Sequence, residues 1–274
     1  MSLYIAHILN INADSINVYE QTNSKSSMFN ISSLAELNIL NESDSLLVLI
    51  PSSTVTSYEF EENKSLSKQI NIANFISEVD SSFADPVSNN DYFLHNNAAY
   101  VVDKFFLKNL NTSLSELNTK IYVLPEYLIN VVEGNDVITE FEGRFMISYS
   151  NKTGFALDHN SLSQYIEIVL NKNPNFNPLI FSTNKDLLNR FGEKVINKSF
   201  DKSSVDLSDI NNLPNFFKLQ ISLSLFSKKM NLSKIQIAIS LLALFIVMAG
   251  PKYLIYKNNT NAKIYSSSTF SIFK

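Results

Sequence analysis

The chain has 274 residues and a formal net charge of −4, so its overall charge gives no reason to expect a nucleic-acid partner. It contains no cysteine, which excludes disulfides, thiolate metal sites and a cysteine nucleophile. The length suffices for a sizeable core and for two lobes.

The opening, Met1–Gln21, has neither a basic leader nor a cleavable apolar core, so no signal peptide is read there. Leu3–Leu9 alternates loosely and predicts a strand, and Ser15–Glu20 predicts a second. A polar, Asn/Ser-rich excursion leads to Leu46–Ile50, whose unbroken apolar run predicts a fully buried strand. Val55–Phe60 follows as another strand. Leu66, Ile70, Ala73, Ile76, Val79 and Phe83 recur at steps of three or four and predict an amphipathic helix. Tyr92–His95 and Ala99–Val102 read as strands. Phe106, Leu107, Leu110, Leu114 and Leu117 form the stripe of a second helix, and Ile121–Leu124 is a strand ending at Pro125.

The second half repeats this plan. Val137–Phe141, Phe145–Tyr149 and Phe155–Leu157 read as strands, with Glu142-Gly143 as a hairpin turn. Leu162, Ile166, Val169 and Leu170 mark a helix capped near Asn160 or Ser161. Leu179–Phe181 is a strand, and Asp186–Phe191 a short helix ended by Gly192. Three strands followed by alternating helix and strand, twice over, predict an α/β domain of two ribonuclease-H-like lobes. This is the actin-like plan, with lobes at about 1–130 and 131–226. Ser199–Pro214 reads as an acidic polar connector, and the strict alternation of Phe217–Leu225 as a half-buried strand returning to the domain.

Ile235–Gly250 then begins an apolar stretch that runs on to Tyr256. Its nine Ile, Leu, Phe and Val residues up to Val247 favour bilayer insertion by about 3 to 5 kcal/mol. The stretch is about 22 residues, or roughly 33 Å of helix, enough to cross a hydrocarbon core. A buried core helix is the competing reading, but core helices rarely go so long without a polar face. The expected organisation is a cytoplasmic domain over 1–226, a basic juxtamembrane stretch over 227–234, a transmembrane helix over 235–256 and a short periplasmic tail over 257–274. Lys228 and Lys229 can sit at an anionic leaflet.

Phosphate-binding loops need glycines so that backbone amides can approach phosphate oxygens. The chain has 5 glycines, the first being Gly134, and the turn between its first two strands, Leu9–Asp14, lacks an Asp-x-Gly-Thr/Ser pattern. Nucleotide binding in a familiar mode is not expected, and no cofactor is. His7, His95 and His159 are widely spaced and read as strand or turn residues, so no metal site is expected. Asp158 and Asn160 read as turn and cap residues, and Glu140 and Glu142 as a solvated strand face. The segment Asn71–Leu94 carries Glu78, Asp80, Asp85 and Asp91. It is open to two readings, an ordinary solvated face or an acidic docking surface for a basic protein partner.

In the order of its segments the chain resembles the L component of type II secretion systems, the GspL family, over roughly residues 40–256. Leu46–Pro51 resembles the family's buried strand ending in proline, and Val55–Phe60 the strand after it. Asn74–Leu94 stands where the family has an acidic helix and turn. Tyr100–Leu117 resembles its strand plus helix, Ile121–Leu128 its Pro-Glu segment, and Arg144–Leu157 its hairpin before Gly154-Phe155-Ala156. Phe217–Lys229 stands for the last strand and basic stop before the membrane.

The resemblance implies an actin-like cytoplasmic domain without enzymatic activity, anchored in the bacterial inner membrane and in contact with membrane lipid. It implies recruitment of the secretion ATPase (the E component), pairing with the bitopic M component, and a homodimer. The family continues into a periplasmic ferredoxin-like domain where this chain has only Lys257–Lys274, so contacts made through that domain are not carried over. The alternative is a membrane-anchored actin-like ATPase of a type IV pilus-type assembly system, against which the missing phosphate-loop glycines count.

Overall fold

The apolar run at Leu46–Ile50 is buried at every position, because its strand is hydrogen-bonded to parallel neighbours on both edges. Strands β1 (Leu3–Ile8), β2 (Ile16–Thr22), β3 (Lys25–Ile31), β4 (Ser45–Ile50) and β8 (Lys120–Pro125) form one sheet in the order β3-β2-β1-β4-β8. The computed structural model describes residues 2–22, 25–79, 86–191, 200–201 and 205–217. The expected span at 235–256 lies outside the described residues, as do 218–225 of the expected last strand. Among the described residues, no helix is long and apolar enough to cross a membrane.

The polar excursion before Leu46 is not without structure. It holds β3 and a 3-10 helix, Leu34–Ile39, fastened by a capping box between Ser33 and Glu36. Strand β3 is an edge strand, and its apolar signal is short, with Phe29 and Ile31 on the core side. Met28 is 56% exposed, and the strand is specified by its ladder to β2 and by buried Ile31.

Between β4 and β8 the chain inserts a three-stranded sheet of β5 (Val55–Glu59), β6 (Asn90–His95) and β7 (Ala98–Asp103), ordered β5-β7-β6. Period-two geometry divides β7 between two cores. Ala98, Tyr100 and Val102 join the main core, while Ala99 and Val101 pack with Phe75 of helix α1 (Lys68–Val79). The apolar stripe expected for this helix holds in part: Ile76 and Val79 pack against this core, but Leu66 and Ile70 are exposed, and Asn71 and Phe75 are the buried residues. Asn71 can occupy the core because its amide bonds Asn63 on both sides, accepting from the N–H and donating to the carbonyl (3.0 Å each). Phe83 of the expected stripe lies outside the described residues. Helix α2 (Lys104–Leu114) buries the expected Phe106, Leu107, Leu110 and Leu114, and Asp103 caps it.

In the second lobe β9 (Val137–Phe141), β10 (Arg144–Ser148), β11 (Gly154–Leu157) and β12 (Leu179–Phe181) make a sheet ordered β11-β10-β9-β12. This repeats the third-second-first-fourth order of the first lobe, as the actin-like plan requires. Glu142 and Gly143 both have left-handed φ (52° and 75°), giving the tight turn of a two-residue hairpin. Helix α3 (His159–Lys172) is capped by Asp158, one of the two residues read as turn and cap, and not at Asn160 or Ser161, because the Asp158 carboxylate accepts from Ser161 N–H at 2.7 Å. Helix α4 (Lys185–Phe191) completes the lobe, and its expected stop, Gly192, lies outside the described residues.

The connector expected before Pro214 is in part packed. Helix α5 (Leu207–Ile210) buries Ile210, and the chain then lies along the free edge of β8. Phe216 N–H donates to the Val123 carbonyl (2.9 Å), and the Asn215 amide accepts from Val123 N–H and donates to the Ile121 carbonyl. Phe216 is fully buried, and Phe217, which the alternation pointed inward, is partly buried against the same core.

Candidate functional site at the junction of the lobes

The two lobes share an apolar core that takes in Phe141 and Met146, and beside it lies a buried charged cluster. His7 lies on β1, in the otherwise apolar sequence Leu3–Ile8, and is fully buried. Glu126 follows Pro125 at the end of β8 and is also fully buried. Glu142 and Arg144 come from the β9–β10 hairpin of the second lobe. His7 Nε2 is 2.9 Å from Glu126, and Nδ1 is 2.6 Å from Glu142. One Arg144 nitrogen reaches both Glu126 oxygens, at 2.8 and 2.9 Å, and Ser52 N–H donates to the same carboxylate. Asn17 of β2 donates to Glu142 at 3.0 Å.

These contacts set the charges. Burial alone would lower the His7 pKa, but the hydrogen bonds and charges of Glu126 and Glu142 outweigh it and raise it. Burial would raise Glu126, and the donors from His7, Ser52 and Arg144 reverse that and hold it below the ordinary carboxylate value.

The expectation that Glu140 and Glu142 share a solvated face does not hold. Glu142 sits in the turn, its backbone is left-handed, and its carboxylate enters the cluster. Glu140 stays on the strand and accepts from the Ser182 hydroxyl. Two signals in the sequence bore on this cluster. A glutamate flanked by buried strand residues and Tyr127-Leu128 needs a cationic partner, and Arg144 is one of only two arginines in a chain that otherwise uses lysine.

A second joint lies nearby. A Cβ on Gly154 would collide with the Ile147 carbonyl and stand 2.7 Å from the Tyr127 ring. The Ser57 hydroxyl of β5 accepts from Gly154 N–H and donates to its carbonyl, tying the inserted sheet to the second lobe. A cavity of about 840 Å³ opens beside His95, Lys152 and Asp209. Its lysine is turned to main chain, since Lys152 Nζ and His95 Nε2 both meet the Asn212 carbonyl at 2.9 Å.

Of the acidic segment, Asp80 and Asp85 lie outside the described residues. Glu78 is exposed near the end of α1. Asp91 is half-buried on β6, the edge strand of the inserted sheet. Tyr92 and Leu94 of that strand face the α1 core, so alternation turns Asp91 to the opposite side of the sheet. Glu78 and Asp91 thus lie on different elements, Glu78 on α1 and Asp91 on β6.

No family model matches the chain, and no curated protein matches it either. Among solved structures it is similar to the cytoplasmic domain of EpsL, an inner membrane component of the type II secretion system of Vibrio cholerae. The TM-score is 0.59 at 15% identity, over 80% of this chain and 100% of that one. At that identity the likeness shows the fold, a mixed α/β domain of the actin-like kind. The component matched is the one whose family the ordered sequence segments resemble.

Proposed function

We propose that this chain is an inner-membrane component of a type II secretion system, and that its cytoplasmic domain recruits the secretion ATPase to the membrane platform. The observation that carries this reading is the fold likeness to the EpsL cytoplasmic domain over that domain's whole length, in a chain whose remainder includes the apolar stretch Ile235–Tyr256. Its work is binding rather than catalysis. The first hairpin has no glycine, and the corresponding hairpin of the second lobe brings a carboxylate, Glu142, into the junction. Carboxylates repel phosphate oxygens, which disfavours the pilus-type ATPase alternative. The M component, a second copy of the chain and membrane lipid are the further partners of this reading.

The ATPase docks, on this proposal, on the acidic segment around Glu78, Asp80, Asp85 and Asp91. Such a surface would steer a basic partner, and association should weaken with added salt. The test is a titration of the ATPase's N-terminal domain against wild type and a variant carrying Glu78→Lys and Asp80→Lys. Affinity should fall at least tenfold in the variant, because like charges then face the partner. Equal affinities, with folding intact, would move the docking surface elsewhere. No binding by the wild type would overturn the recruitment reading itself.

A further inference from the structure

Large apolar side chains left in water are informative when they gather at one concave place. Among the described residues Phe105 is the one exposed phenylalanine, at 75%, and Ile11 is 56% exposed. Both line the same groove, of about 540 Å³, together with Leu34, Phe106 and Leu110. Those three are buried and belong to the main core, so the two exposed side chains stand over apolar ground.

Both walls of the groove are fixed. On one side the turn between β1 and β2 closes on itself. Leu9 N–H donates to the Ser15 carbonyl (2.9 Å), Ala13 N–H to the Asn10 carbonyl (3.1 Å), and the Asn10 amide to the Asp14 carboxylate (2.7 Å). This is the turn without glycine, and it presents Ile11 where turns ordinarily place polar residues. On the other side Asp103 caps α2 by accepting from Phe106 N–H, which sets Phe105 in the first turn beside the buried face. None of the described lining residues belongs to an edge strand. An occupant therefore meets side chains and no open main-chain ladder, which suits a helix and not a strand.

The charge is one-sided. Asp14 and Asp103 line the groove, and Glu36 accepts from the N–H groups of Ser32 and Ser33, which line it too. No lysine or arginine is among the described lining residues, and Lys104, next to Phe105, is turned to the Ser88 carbonyl at 3.2 Å. Each carboxylate has local partners, yet an ionised carboxylate offers about four acceptor sites and can take further donors.

We propose that this groove docks an amphipathic helix of a protein partner, whose apolar stripe covers Ile11 and Phe105 and whose lysines or arginines meet Asp14, Glu36 and Asp103. The same carboxylates repel an anionic lipid surface. The groove shares no residue with Glu78 or Asp91, so it is independent of the ATPase docking surface proposed above.

The chain has no cysteine, so Asn109→Cys gives a single attachment point for a fluorophore on the groove wall. The labelled full chain, in phosphatidylcholine nanodiscs, is titrated with a synthetic helical peptide carrying a leucine stripe flanked by lysines. Emission should change saturably, and the midpoint should rise about tenfold or more in Phe105→Ser and in Ile11→Ser. Both residues are exposed, so neither change should unfold the domain. Added salt should weaken binding, and less so in Asp14→Asn. The variant with Glu78→Lys and Asp80→Lys should bind the peptide as wild type does. No saturable change, equal midpoints for wild type and Phe105→Ser, or equal binding of a peptide with glutamates in place of the lysines overturns the proposal. So does self-association that Phe105→Ser abolishes and the peptide leaves unchanged, because a second copy would then fill the groove.

Discussion

Gly154 is required for space rather than for backbone freedom. The Ile147 carbonyl and the Tyr127 ring leave no room for a methyl group, and both belong to well-buried elements that cannot retreat cheaply. Gly154→Ala should therefore destabilise the domain by about 1–3 kcal/mol, the usual cost of overpacking. Denaturant unfolding should show a lower midpoint with an unchanged slope. An unaltered midpoint would mean that β11 can slide away from Tyr127. The resembled Gly-Phe-Ala segment thus has a physical reason at its first position. Arg144 reaches both oxygens of Glu126 through one nitrogen, so what it supplies there is a positive charge placed against a buried carboxylate.

At the scale of elements, the segment after α5 is the least expected part. Its composition is that of a connector, yet Asn215 and Phe216 extend the ladder of β8 and cover an edge that would otherwise offer unpaired backbone groups. Phe216 fills the space between that edge and the inserted sheet, with its ring 4.6 Å from Phe93 and 5.4 Å from Tyr100. Phe216→Ala should cost about 3–5 kcal/mol, as for other fully buried phenylalanines. Exchange protection at Val123 should fall with it, because Phe216 N–H and Asn215 bond both main-chain groups of that residue. Loss of stability with Val123 still protected would show that only packing, and not the edge ladder, depends on this residue. Helix α1 illustrates the same limit from the other side. Its apolar residues recur at helical spacing, but the face that is buried centres on an asparagine satisfied by a loop eight residues earlier.

For the whole molecule, the repeated sheet order makes two lobes, and their junction carries charged side chains in place of phosphate-binding amides. The full chain titrated with Mg-ATP should give no saturable heat in the micromolar range. A saturable signal would favour an actin-like ATPase over an adaptor. Apart from β3, the strands of both lobes and helices α1 to α4 were legible in the sequence, since apolar periodicity records which side of an element is buried, and Glu142-Gly143 recorded its own turn. The actin-like plan followed from their order. Edge strand β3, the burial of Asn71 on α1 and the docking of Asn215-Phe216 were not legible, because each is decided by hydrogen bonds, to a neighbouring strand, a preceding loop or a distant edge, that apolar spacing does not record. The charged junction was hidden for the same reason. His7, Glu126, Glu142 and Arg144 span more than a hundred positions, and although the apolar flanks of Glu126 call for a cationic partner, nothing local says which residue supplies it. Sequence by itself determined the elements and their order; only the tertiary structure decided which charges had to meet, because burial and pairing are properties of the assembled lobes.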